Sequence, residues 1–314
     1  MCDRIDVIIP VYRPDHKLGQ LIDRLNHQTK KPEHVWFLQT MEGTKEDERV
    51  ERLLEQADRG RIIPIEKQEF DHGGTRNRGA FASRADHILF MTQDAVPTND
   101  VLLETLVRHM EEDERIAAVY ARQLPGDEVG AVERFTRTFN YPAQSAVKDV
   151  GDLERLGIKT YFCSNVCAMY RRRIYEELGG FVTRTIFNED MIFAASLIHA
   201  GYQIAYAADA EVVHAHKYTY RQQFTRNFDM AVSQRQYRHI FERVKSESEG
   251  MRLVKETARY LMRSGKWYLL PDFVMQSASK LLGYKFGLRY ETLPDGIVKK
   301  MSMNKRYWEH GEEQ

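Results

Sequence analysis

Five short apolar runs alternate with stretches of helical spacing through the first 121 residues, and few folds accommodate that rhythm. The runs are Asp6–Pro10, Val35–Leu38, Arg61–Ile65, His87–Met91 and Ala117–Ala121, each the length of a buried strand. After the first, Leu18, Leu21, Ile22 and Leu25 recur at i, i+3, i+4 and i+7, the mark of a helix with one apolar face. Thr44 opens another helix, with Asp47 three residues on as in a capping box and Val50, Leu53 and Leu54 facing inward. Val101, Leu102, Leu106 and Met110 mark a further one. Strands alternating with helices predict an α/β chain whose mostly parallel sheet is covered on both faces. Ligands of such sheets bind beyond the carboxyl ends of the strands. Here that means the loops Pro10–Pro14, Gln39–Gly43, Phe70–Asn77 and Thr92–Pro97.

Further along, residues 124–160 show no clear period and are expected to form a mobile connection or an acceptor loop. A strand at Val166–Tyr170 leads to a helix ending at Gly179–Gly180. Asn188 starts another helix, which stops at Gly201, and two short strands follow at Tyr202–Tyr206 and Glu211–His216. Beyond Tyr218 the pattern is helical to about Tyr284, so residues 1–218 are expected to form the α/β domain and 219–314 a helical extension. Formal charge is balanced overall, but from Lys217 onward there are 19 Lys and Arg against 11 Asp and Glu. A basic, aromatic-rich tail of that kind suits an anionic membrane surface or a polyphosphate, or else forms a solvated helical face. It contains no recognisable nucleic-acid module.

Three cysteines, Cys2, Cys163 and Cys167, are too few for a disulfide framework and fit a reducing cytosol, with Cys163 and Cys167 expected in the core. No run approaches the roughly 18 apolar residues that span a bilayer, and no signal-like leader is visible. The expectation is a cytosolic protein, soluble or peripheral on the inner face of the membrane.

Four motifs carry chemistry. Asp71-His72-Gly73-Gly74-Thr75-Arg76-Asn77 follows a strand and opens a helix. Its glycines allow close backbone approach, the helix start offers N–H groups, and Arg76 is a cation suited to phosphate. A tight turn would account for the two glycines but hardly for the whole string, so the loop is expected to bind a nucleotide. Asp94, in Thr92-Gln93-Asp94, ends the fourth strand, where a carboxylate can hold a hard cation on a diphosphate or simply precede a helix. In Asn188-Glu189-Asp190, Asn suits an N-cap and acids suit a first turn, while one carboxylate can also serve as a general base. His214 and His216, two apart on an expected strand, share a face and are candidate metal ligands or a polar surface pair.

In this order the elements resemble glycosyltransferase family 2, with its nucleotide-binding GT-A fold, over roughly residues 5–230. Val7-Ile8-Ile9-Pro10-Val11-Tyr12 is similar to the family's donor-binding first strand and loop, which includes Pro10 and Tyr12. Thr92-Gln93-Asp94 stands at the DxD motif, which implies that Asp94 contacts metal and diphosphate, beside Gln93. Glu189-Asp190 matches the ED motif and implies Asp190 as catalytic base. His214 or His216 matches a histidine that completes metal coordination in some members, and Ser164-Asn165 falls where members contact a sugar. The string from Asp71 to Asn77, with the TQDA, FNEDM and HAHKYT segments, looks like the rhamnosyltransferases of polysaccharide assembly. Phe228-Asp229, Leu282-Gly283, Leu293-Pro294 and Tyr307-Trp308 look similar too.

The resemblance implies an inverting transfer from dTDP-β-L-rhamnose, supported by Mg²⁺ or Mn²⁺, to a hydroxyl of a glycan or lipid-linked saccharide. Two departures bear on this. Thr92 replaces the first aspartate of DxD, and Gln39-Thr40-Met41-Glu42 stands where an acid usually reads the base, leaving Thr40 and Glu42 as candidates. A transferase using a UDP-hexose, or a nucleotide-sugar-binding module without turnover, are the rival readings.

Overall fold

The structure, a computed structural model, describes residues 3–309 apart from Arg243, Lys245 and Ser246. Four strands, β1 (Ile5–Val11), β2 (His34–Met41), β3 (Gly60–Glu66) and β4 (His87–Met91), pair in parallel in the order β3-β2-β1-β4. Helices α1 (Lys17–Asn26), α2 (Lys45–Leu54) and α3 (His72–Ala82) make the crossovers. Alternate residues of β1 enter opposite cores, Val7 and Ile9 on one face and Ile8 on the other. A strand buried on both faces carries a continuous apolar run, as β1 and β4 do, whereas β3 at the sheet edge is fully buried only at Ile65. The Thr44 N–H donates to the Asp47 carboxylate at 2.9 Å, so α2 starts where its capping residues place it.

Beyond β4 come β5 (Val96–Pro97), α4 (Leu102–Glu111) and β6 (Ile116–Leu124), then α5 (Ala131–Asn140), β7 (Ala146–Lys148) and α6 (Leu153–Leu156). Next are β8 (Cys167–Arg171), α7 (Arg172–Glu177), α8 (Glu189–His199) and β9 (Gln203–Val213). Among the described residues one sheet runs β3-β2-β1-β4-β8-β6-β9-β5, with β7 beside β9. β8 is antiparallel to both neighbours, β6 and β9 are parallel, and β5 and β7 run antiparallel to β9.

Two expectations change. Residues 124–160 are not a patternless loop, since α5, β7 and α6 lie within them. The segment is also anchored by the buried Lys148, whose Nζ donates to the Lys159 and Phe162 carbonyls. Nor are there two strands between Tyr202 and His216. β9 is continuous, with a register shift against β6 between Ala121 and Arg122, and it stops before His214.

The chain continues as α9 (Tyr220–Gln236), α10 (Arg238–Phe241), α11 (Glu247–Arg263), α12 (Leu270–Gly287) and α13 (Asp295–Met301), past the expected end near Tyr284. α12 packs on α9 at glycine contacts. A Cβ on Gly283 would lie 2.2 Å from the Phe224 carbonyl oxygen, and one on Gly287 2.3 Å from that of Phe228. Asp229 of α9 accepts the N–H groups of Met303 and Asn304, and Arg306 donates to the Lys67 carbonyl, so the tail returns to the α/β layer. Cys163 and Cys167 are buried free thiols, whereas Cys2 lies outside the described residues. Among the described residues no helix is long and apolar enough to cross a membrane.

Candidate active site

The carboxyl ends of β1, β2, β3 and β4 are cross-tied by side chains. The Tyr12 N–H donates to Gln93 Oε1 at 2.8 Å and the Gln93 amide returns a bond to the Tyr12 carbonyl at 3.0 Å, a reciprocal clamp between the loops after β1 and β4. The Tyr12 hydroxyl donates to Glu42, which also pairs with Arg13 at 2.7 Å and with Lys67. Lys67 and then Arg13 hold the Glu42 carboxyl at about 2. Arg13 takes a left-handed backbone conformation at φ 43°, uncommon for a side chain of that size. Thr40 is buried with its hydroxyl unpartnered, and Pro10 is half-buried at the end of β1.

Asp94, His214 and His216 converge. Asp94 Oδ2 lies 3.5 Å from His214 Nε2 and 3.2 Å from His216 Nε2, and the two imidazole nitrogens are 3.0 Å apart. Gln123 fixes the tautomer. Its Oε1 takes a bond from Arg137, which can only donate, so that atom is an acceptor and His214 Nδ1, 3.0 Å away, must carry the proton. His214 Nε2 therefore presents a bare lone pair to Asp94 and His216. Burial keeps both imidazoles uncharged, lowering His214 strongly and His216 less. Two neutral nitrogens and a carboxylate whose ligand atoms lie within 4.8 Å of one another fit a divalent cation.

The starts of α3 and α8 face each other. Asp71 caps α3 by accepting from the Gly74 N–H and also takes the Arg184 N–H. Burial, partly offset by these bonds, raises its carboxyl. A Cβ on Gly73 would sit 2.0 Å from the Val182 carbonyl oxygen, so that glycine answers to a neighbouring strand of chain rather than to an anion. Asn77 bonds Tyr175 and both polar backbone groups of Phe181, which engages its whole amide. Arg76 turns inward: it bonds the His72 carbonyl and lies 3.3 Å from Glu189. His72 is held uncharged, burial being the main cause.

Asn188 does not cap α8. It is left-handed at φ 64°, and its amide donates to the Met230 carbonyl instead. Asp190 accepts its neighbour Met191's N–H at 2.8 Å and approaches that of Asn165 at 3.4 Å. A helix start alone would keep this acid ionised, but burial, reinforced by the Glu189 charge, pushes it up to about 7. Glu189 is opposed by burial but lowered on balance, Arg76 being the chief cation beside it.

Two residues absent from the sequence reading join these clusters. Gln123 receives His214 and Arg137 on its oxygen and donates to the Ser164 hydroxyl at 3.1 Å, and the next residue, Asn165, leads to Asp190. Arg226 of α9 stacks over Phe187 at 4.7 Å and Tyr218 at 5.6 Å. Gln123 ends β6, and the rule about carboxyl ends of strands, extended to the fifth strand, would have singled it out.

This fold is shared with GT-A glycosyltransferases. A mannosyltransferase from Pyrobaculum calidifontis in complex with GDP-Man and Mn²⁺ superposes with a TM-score of 0.61 at 16% identity, over 92% of this chain and 88% of that one. S. aureus TarS 1-349 gives 0.56 at 16% identity, over 97% and 85%. The family model for glycosyl transferase family 2 matches residues 6–179, and the chain belongs to that family. The O-antigen chain rhamnosyltransferase RfbN of Salmonella typhimurium is 38% identical over 313 residues, 97% of this chain and 96% of that one. WbaN of Salmonella anatum, with the same description, is 40% identical over 255 residues, 79% and 78% of the two chains.

Proposed function

We propose that this enzyme is an inverting rhamnosyltransferase, moving L-rhamnose from dTDP-β-L-rhamnose to a hydroxyl of a glycan or lipid-linked saccharide in cell-surface polysaccharide synthesis. The similarity to two named O-antigen rhamnosyltransferases supports the sugar. The observation that carries the chemistry is the link from the Asp94–His214–His216 cluster through Gln123 and Ser164 to the raised carboxyl of Asp190. Together these supply a cation site and a base within one hydrogen-bonded frame.

Asp94, His214 and His216 would hold Mg²⁺ or Mn²⁺, which offsets charge on the departing diphosphate. Asp190 accepts the proton of the attacking hydroxyl as its oxygen bonds the anomeric carbon and the bond to the diphosphate breaks. One displacement inverts the centre, as in inverting glycosidases. Pro10, Tyr12, Thr40, Glu42 and Gln93 line the nucleotide side, and Ser164 with Asn165 faces the sugar. Asp71, His72, Gly73, Gly74, Arg76 and Asn77 build the wall that sets Glu189. Residues 1–218 form the transfer unit, and 219–314 serve the acceptor side, with the protein peripheral on the inner face of the cell membrane.

The test is a donor panel. Calorimetry with dTDP-rhamnose, UDP-glucose and UDP-N-acetylglucosamine should rank dTDP-rhamnose first, and product mass with saccharide acceptors should show one deoxyhexose added. Tighter binding of a UDP-sugar would remove the rhamnosyl assignment and leave the family unchanged.

A further inference from the structure

We infer that the outward faces of α11 and α12 form a docking surface for an anionic bilayer, α12 seating in the interface and α11 meeting the headgroups. α12 is apolar on both sides. Phe273, Gly283 and Gly287 are buried on the inner side, where the glycines meet α9. On the outer side Val274 is 59% exposed, Met275 53%, Leu281 51% and Leu282 50%. Their spacing of one and seven residues puts them on one stripe. Scattered apolar residues on a surface need no account, but two exposed apolar pairs in register on one face of an 18-residue helix, with the partly exposed Ala278 between them, mark an interaction site. Trp267 and Tyr268, 64% and 62% exposed, stand at its start, and such rings favour the level of lipid headgroups.

Charge selects the occupant. Arg252, Lys255, Arg259 and Arg263 recur every three to four residues along the exposed side of α11. Glu256 pairs with Arg259, Asp272 accepts the Tyr220 hydroxyl and Arg252 lies over Phe139 of α5 at 5.2 Å, so four cations against one acid leave the ridge net positive. An apolar helix face beside a basic ridge is complementary to anionic lipid. The inner side of α11 is tied to the active site, for Tyr260 stacks on Phe135 of α5 at 4.6 Å and Arg137 of α5 reaches Gln123. Docking there would bring a lipid-borne saccharide to the helix that borders the cation site. That purpose rests on the proposed lipid-linked acceptor, whereas the surface itself does not.

Co-sedimentation of the full chain with vesicles tests this. Binding to mixed phosphatidylglycerol–phosphatidylcholine vesicles is expected, weakening at least about tenfold on phosphatidylcholine alone or in high salt. Leu281→Glu with Leu282→Glu should weaken binding at least about tenfold, and Arg259→Glu with Arg263→Glu should abolish the preference for anionic lipid. Both double variants should keep the parent melting temperature and nucleotide-sugar affinity. The inference is overturned if the intact protein ignores anionic vesicles or if the leucine variant binds like the parent. It is equally overturned if sedimentation velocity shows a dimer that the leucine variant dissociates, since the face then belongs to a second copy. Turnover on a soluble saccharide is measured separately, so failure of the transferase reading leaves the vesicle result standing.

Discussion

Arg76 and Glu189 meet at 3.3 Å with both side chains about nine-tenths buried, and the carboxylate of that pair is the residue before Asp190. The pair therefore sets two quantities at once. It neutralises a guanidinium inside the protein, and it keeps a negative charge against Asp190, which raises that carboxyl further. Glu189→Gln should strand Arg76 and cost roughly 3–5 kcal/mol of stability, the usual penalty for half of a buried pair. It should also move the acid limb of the kcat/KM profile to lower pH, because Asp190 loses its anionic neighbour and keeps a cationic one. Urea melts and a pH–rate series read the two effects separately, and an acid limb that stays in place would contradict the second.

Asp190→Asn should lower turnover by about 10² to 10⁴, the usual worth of a general base, or roughly 3 to 5 kcal/mol of barrier. Donor affinity should change little. The stability effect has a definite sign. Below about pH 4 the carboxyl is protonated in both folded and unfolded chains. From there to about 7 the folded protein keeps a proton that the unfolded chain has lost, so parent stability declines as pH rises. The Asp190→Asn protein lacks that decline. Melting temperatures should thus favour the variant most above pH 7, whereas a uniform loss at all pH values would mean a structural role.

Exhaustive chelation should abolish transfer. Mn²⁺ should restore it at lower concentration than Mg²⁺, since two of the three ligands are imidazoles and Mg²⁺ prefers oxygen. Asp94→Ala should remove Mn²⁺ binding measured by calorimetry. Full transfer by the chelated protein would rule out a cation role for this cluster.

Gln123→Leu keeps the bulk but frees the His214 tautomer. A loss of about 10- to 100-fold in Mn²⁺ affinity is expected, the usual cost of removing a partner behind a metal ligand, with a near-normal melt. Unchanged affinity would mean that His214 is oriented by its packing alone.

Gly73→Ala places a methyl group 2.0 Å from the Val182 oxygen. Overpacking of this kind costs about 1–3 kcal/mol or more. Gly74→Ala comes no nearer than 3.1 Å, to the Asp71 Oδ1 atom of a side chain, and should be milder. The difference in urea midpoint between the two variants checks this.

What could be seen from the residues depended on what each one packs against. β1 and β4 were visible because double-sided burial writes long apolar runs, the edge strand β3 through Ile62, Ile63 and Ile65 alone, and α1 through its one-sided apolar spacing. α5 was overlooked although Val132, Phe135 and Phe139 hold helical spacing, because none of its residues is buried and its aromatic face meets α11 rather than the core. β9 was split in two because small residues and the exposed Asp209 interrupt it; that aspartate pairs with His109 and Arg108 at the bulge. Asp94, His214 and His216 were each nameable, but their convergence depends on β5 pairing with β9, Val96 opposite Val213, a relation no local pattern encodes. The raised carboxyl of Asp190 was not legible for a similar reason. The helix start is local, whereas the desolvation comes from the surrounding fold.

The placement of β8 between β4 and β6 has a consequence for how the protein is made. Synthesis delivers β4 and β6 long before Cys167–Arg171, so a growing chain carries apolar strands with open edges, a ready template for other chains. A product that stops short of β8 is expected to aggregate, and a holdase on the ribosome would find its target there. The stretch that closes the β4 edge and one edge of β6 also brings in Asn165, whose N–H approaches Asp190. The remaining edge of β6 waits for β9, whose end leads directly into His214 and His216, so the sheet closes its last inner edge as the cluster with Asp94 is completed.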